Sequence, residues 1–108
     1  MANGLLGKDV VAVGEKSNPY TVPANVEFTT FSINILNTNT VPANVKVAIG
    51  NSAIPAIGDY IEHSSSIDPN GGILERTCMI ASSNEKVIVE SDVGGVVVRV
   101  YGLEKLIV

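Results

Sequence analysis

The chain has 108 residues, 45% of them hydrophobic and only 17% charged, with a formal net charge of −4 and one cysteine. That length fits one domain with a modest core. The lack of any Lys/Arg cluster argues against direct nucleic-acid binding, and a single Cys78 excludes an intrachain disulfide. No apolar run reaches the ~18 residues that span a bilayer, and the start has neither a basic segment nor the long apolar segment of a secretory signal. A chain made and folded in a cytoplasm is the expectation.

Val and Ile dominate the apolar residues, and mean hydropathy is positive. Branching at Cβ suits strands better than helices. So much apolar surface on a small, weakly charged chain implies that other chains cover some of it.

Residues 1–14 read as an N-terminal arm followed by a short strand. The lead-in 1–7 is glycine-rich and irregular, and 9–13 is β-rich up to Gly14. Residues 15–19 are a polar turn. Residues 20–22 form an extended entry, since Pro23 forces Val22 out of the helical region. The hexapeptide Thr-Val-Pro-Ala-Asn-Val occurs at 21–26 and again at 40–45. Two copies are too few to define a repeat architecture, so the reading is two similar corners, each leading into a strand.

The long strand after the first corner carries Val26, Phe28, Phe31, Ile33 and Ile35 as its core face. A bulge at Thr29-Thr30 absorbs the slip in parity. Residues 37–39 turn, and Val45, Val47 and Ile49 alternate in the next strand. The 50–58 loop is long enough to cross between sheets. Residues 59–63 form a strand with Tyr60 and Glu62 on one side and Ile61 and His63 on the other, and the serines 64–66 are exposed. Asp68-Pro69-Asn70-Gly71-Gly72 is the strongest turn in the chain. The strand 73–81 places Leu74, Cys78 and Ile80 on one face, with Cys78 as a small buried hydrophobe. A turn at 82–85 precedes a strand at 86–90 with Val87 and Val89 inward. A turn at 92–95 precedes the last strand, 96–103, with Val98 and Val100 inward and Arg99 and Tyr101 outward. Residues 104–108 are an apolar C-terminal tail.

No segment holds a helical period for three turns, and turns recur about every ten residues. The fold class is all-β: one antiparallel β-sandwich of seven to eight strands, jelly-roll-like, without substantial helix.

Chemistry is sparse. Glu62, His63 and Ser64 are the nearest approach to a Ser-His-acid set, but neighbours on a strand point to opposite faces, so they cannot converge. One His and one Cys without paired spacing do not make a zinc site, and the 68–72 segment lacks the ligand spacing of a calcium loop. The expectation is no enzyme activity, no metal and no cofactor. Tyr60 and Tyr101, with the 51–58 loop, are the residues a carbohydrate-binding reading would use. The remaining candidates are apolar side chains near the ends: Leu5, Leu6, Val10, Val11, Leu106, Ile107 and Val108. They read as a protein interface, or, for the C-terminus, as the completion of an edge strand.

In order along the chain stand Tyr-Thr-Val-Pro at 20–23, Ile33-Asn34-Ile35-Leu36-Asn37 and Val45-Lys46-Val47-Ala48-Ile49. Asp59-Tyr60-Ile61-Glu62, Pro69-Asn70-Gly71-Gly72-Ile73-Leu74-Glu75-Arg76-Thr77 and Val98-Arg99-Val100-Tyr101-Gly102 follow. This succession, over residues 20–103, resembles small β-sandwich virion proteins of tailed bacteriophages, especially cyanophages and marine phages. The resemblance implies a capsid decoration (cement) protein on the capsid exterior, bound to the major capsid protein or other virion proteins. It also implies a homo-oligomer, with a trimer favoured. A tail, neck, baseplate or fibre module, or a carbohydrate- or receptor-binding module, is the alternative. The resemblance carries no catalytic residues.

Overall fold

Eight strands alternate with tight turns in the computed structural model, which describes residues 3–107. They are β1 Asn3–Val11, β2 Ser17–Thr21, β3 Val26–Asn37, β4 Ala43–Gly50, β5 Tyr60–Ile67, β6 Gly72–Ser82, β7 Lys86–Ser91 and β8 Val96–Leu106. The only helical turn among the described residues is a 3₁₀ segment at Ile57–Asp59. Two antiparallel sheets result: sheet 1 in the order β1-β8-β3-β6 and sheet 2 in the order β2-β7-β4-β5. First pairs with last, second with seventh, third with sixth and fourth with fifth. That is a long hairpin rolled up on itself, the eight-stranded jelly roll.

The core lies between the sheets. Phe31, Ile33 and Ile35 of β3 and Val96, Val98 and Val100 of β8 face Val45, Val47, Val87 and Val89 of sheet 2. Alternation along each strand sends every second side chain inward, which is why these Val/Ile strands form a filled two-layer interior.

Polar pairs tie the layers together at their margins. Ser17 Oγ on β2 donates to Asp9 Oδ2 on β1 at 2.5 Å. The Tyr20 hydroxyl of β2 donates to Glu104 Oε2 of β8 at 2.5 Å and lies 2.8 Å from the Thr29 hydroxyl of β3. On the other side the buried Glu62 of β5 pairs with Arg76 of β6 and accepts from the Ser65 hydroxyl. At one end of the sandwich the fully buried Asn37 donates to the Val41 and Ile67 carbonyls, at 2.9 and 3.2 Å. Its Oδ1 accepts from the backbone and side chain of Asn39, both at 3.0 Å. Asn39 Nδ2 in turn reaches the Gly94 carbonyl at 2.6 Å. The 37–39 turn is therefore a hub that fixes three connections.

Several expectations are corrected. The lead-in 3–7 is not irregular: it is the first half of β1, paired with β8. The 50–58 loop does not cross between sheets, because β4 and β5 are neighbours in sheet 2. The parity slip in β3 falls at Glu27, earlier than Thr29-Thr30. Phe28 is therefore half-buried on the outer side, and Thr29 turns into the core. In β6 an extra residue between Arg76 and Met79 reverses the parity. Leu74, Met79 and Ala81 consequently face the core, while Ile80 is exposed and Cys78 lies at the exposed bulge with φ of 59°. The tail expected at 104–108 begins too early: Glu104 is buried within β8, which continues to Leu106.

Candidate interaction face

Each sheet has an outer face, and the two differ in kind. On sheet 1 the strand registers line up outward side chains in rows across β1, β8, β3 and β6. One row is wholly apolar: Val10, Val97, Leu36 and Ile73. The next is charged: Lys8, Arg99, Asn34 and Glu75. Leu5, Tyr101 and Ser32 form a third, and Asn3, Leu103, Thr30 and Ile80 a fourth. Val10, Ile73, Leu103 and Ile80 are each 60–65% exposed, so this is surface that water covers in the isolated chain. Contiguous apolar surface of this kind marks an interaction site more often than a neutral exterior. Glu75 accepts from Asn34 Nδ2 in its own row at 3.4 Å and from the Tyr101 hydroxyl of the next row at 3.0 Å. The hydrogen bond from Tyr101 to this carboxylate, ahead of burial, raises the Tyr101 pKa.

Close approach shapes the centre of the face. A Cβ on Gly102 would stand 2.0 Å from the Thr30 carbonyl oxygen and 2.7 Å from the Phe31 Cα. Only glycine lets β8 lie so near β3 here. The result is a shallow depression of about 290 Å³ lined by Ser32, Cys78, Tyr101 and Leu103 among others.

The edges of both sheets are closed to strand addition by another device. In each edge pair the extra residue of the bulge sits on the edge strand: β1 near Leu6, β2 between Ser17 and Tyr20, β6 between Arg76 and Met79, and β5 on either side of Glu62. Bulges bend an edge and break its ladder of free donors and acceptors. Association is thereby steered from the edges to the faces.

The residues expected at an interface are scattered by this fold. Leu5 and Val10 lie on the outer face of sheet 1. Leu6 is half-buried against the core, and Val11 is 1% exposed within it, so its side chain is not available to a neighbour. Leu106 and Ile107 are exposed at the opposite end of β8, where Leu106 pairs with Val26 and the Ile107 N–H donates to the Asn25 carbonyl. Val108 lies outside the described residues. Sequence reasoning misses Ile73, Ile80 and Leu103, because simple alternation points Ile80 inward and because sheet membership is invisible in a single strand.

Other candidates do not converge. Glu62 is drawn inward to Arg76 and Ser65, whereas the exposed His63 stands edge-on to the Tyr60 ring, 5.1 Å between centroids. Two extra residues in β5 place Tyr60 and His63 on one side and Glu62 on the other, unlike the simple alternation expected. Tyr60 and Tyr101 lie on the outer faces of different sheets, so they do not form one site. Among the described residues no three His, Cys, Asp or Glu side chains stand close enough to hold a metal ion.

The strand order defines a jelly-roll β-sandwich. No family model, no curated protein and no solved structure matches the chain.

Proposed function

We propose that this chain is a structural protein of a tailed-phage virion, a decoration (cement) protein that sits on the capsid exterior and reinforces contacts between capsomers. The observation that carries this reading is the outer face of sheet 1, an exposed apolar and charged surface presented by a sandwich whose edges are bulged. A rigid module with a contact face is what a cement protein requires, since modest contacts add up when repeated over many symmetric positions. Jelly rolls recur among viral coat proteins, which agrees with the resemblance of residues 20–103. The partner on this reading is the major capsid protein.

The test is the position of the chain in reconstructed particles. Hundreds of copies on the head would support the proposal. Copies in threes, sixes or twelves on the tail would replace it with a tail, neck, baseplate or fibre module. Absence from purified particles would end the virion reading altogether.

A further inference from the structure

The charges on the outer face of sheet 1 are divided by the sheet's own midline, which runs between β8 and β3. In the charged row Lys8 and Arg99 stand on one side of it, and Asn34 and Glu75 on the other. Lys8 and Glu75 occupy the two outermost strands, β1 and β6, at equal distance from the midline. Both are exposed, and no ion pair joins either of them to another side chain among the described residues.

We infer that this face pairs with the same face of a second copy, about a two-fold axis running along that midline parallel to the strands. A half-turn about such an axis exchanges β1 with β6 and β8 with β3 while keeping each row in place. Lys8 then meets Glu75 of the partner subunit, and Arg99 meets Asn34 of the partner subunit. In the neighbouring row Val10 meets Ile73 of the partner subunit, and Val97 meets Leu36 of the partner subunit. Apolar row lies on apolar row, and each outer corner of the charged row gains an unlike charge. A two-fold interface demands such self-complementarity.

A second copy is favoured over a different protein because the complement of each half of the face is its other half. A pairing shifted by one row would set the charged row against an uncharged one, and a half-turn about an axis across the strands would set Lys8 against Lys8 and Glu75 against Glu75. Size agrees. Four strands ~4.8 Å apart and about ten residues of strand at ~3.4 Å each give roughly 650 Å² of projected surface per copy, near the ~800 Å² of a standard interface. Aligned sheets pack at about −30°, an offset that the long Lys and Glu side chains can span. The bulged edges leave face-to-face contact as the open route. The inference gives this face to a second copy in place of the capsid contact of the proposed function, so a decorating pair would hold the capsid by other surface, and it replaces the expected trimer by a pair.

Sedimentation equilibrium of the purified full chain across micromolar to submillimolar concentrations tests it. The expected result is a reversible rise from 11.3 kDa to twice that mass. K8E and E75K each place like charges at both corners and should weaken pairing by about tenfold or more. Mixing the two variants should restore it, because both corners of the mixed pair regain unlike charges. Both positions are exposed, and unchanged circular dichroism and melting confirm that the variants are folded. A monomer throughout, a trimer, a dimer indifferent to the exchanges, or a mixture no stronger than its components would each overturn the inference. A monomer that still coats phage heads overturns the pairing alone. A charge-obedient dimer absent from particles overturns the proposed function alone.

Discussion

The outer faces of the two sheets are built from similar strands and end in opposite states. On sheet 1 the outward apolar side chains stand in water. On sheet 2 the outward Ala48 and Ile88, paired across β4 and β7, are 1% and 2% exposed. Long polar side chains also bridge the strands on that side. Tyr60 on β5 reaches across β4 so that its hydroxyl donates to Glu90 Oε2 on β7 at 3.3 Å, and Lys16 closes the chain with Glu90 Oε1 at 3.3 Å. Burial first, and then the Glu90 charge, raise the Tyr60 pKa. On sheet 2 the outward apolar residues are buried, and long polar side chains link β5 and β7 across that side. On sheet 1 Val10, Ile73, Leu103 and Ile80 stay exposed.

Truncating one isoleucine on each face breaks this comparison most directly. Ile88→Ala should destabilise the chain by about 2–5 kcal/mol, as for a buried site, whereas Ile73→Ala should stay within about 0.5 kcal/mol in the monomer. Urea unfolding at low protein concentration reads both, and equal losses would show that the faces are equally covered.

The ties between the sheets come next. Arg76→Ala removes the partner of the buried Glu62 and should cost about 1–3 kcal/mol, measured as a lower denaturant midpoint with an unchanged slope. Glu62 keeps its Ser65 hydrogen bond, and Arg76 is half in solvent, so the loss falls short of that for a wholly buried pair.

Tyr20→Phe should cost about 1–2 kcal/mol through the hydrogen bonds to Glu104 and Thr29. It also has a signature in alkali. Burial, followed by the Glu104 hydrogen bond, pushes the Tyr20 pKa up from 10.0 to about 12. The folded state therefore favours the neutral phenol. Its contribution is complete below pH 10 and is lost as pH rises towards 12. Wild type should lose stability across that window more steeply than the Phe variant, and parallel curves would refute the linkage.

The smallest effect is expected at the exposed contact between Asp92 and Asn44. Asp92 accepts from the Asn44 backbone N–H at 2.8 Å and from Asn44 Nδ2 at 3.0 Å. The backbone bond first, then the side-chain bond, lower its pKa below 3.8. A lowered carboxylate pKa stabilises above the unfolded value and ceases to do so as pH falls through the folded one. Asp92→Ala should shift the neutral-pH midpoint by no more than a surface interaction does, about 0.5 kcal/mol. It should also flatten the acid limb below about pH 4 in thermal melts. An acid limb identical to wild type would exclude the role.

The candidate face is only partly legible in the sequence. Leu5 and Val10 stand out because apolar residues near a chain end need an explanation. Val11 stands out for the same reason, yet it belongs to the core. Inward and outward are assigned by counting in twos, and every bulge shifts the count by one. The shifts at Leu6, Glu27 and Thr77-Cys78 are what separate Leu5 from Val11, place Phe28 outside and expose Ile80.

The class of the fold follows from the residues alone: Val/Ile alternation without a helical period, cut by Asn, Gly and Pro turns, allows little but a β-sandwich. The turn at 68–72 follows too, since Asn70 and Gly71 tolerate the positive φ of 60° and 94° that they adopt. Alternation also names most of the inward residues of β4, β7 and β8. Which strands share a sheet, where each bulge falls and which apolar rows stay uncovered are settled in three dimensions. Those outcomes depend on pairings between residues as distant as Val10 and Val97, or Leu36 and Ile73, and on whether a long side chain such as Tyr60 reaches across its neighbour. Local pattern sets the period of a strand, but a surface is a property of several strands at once.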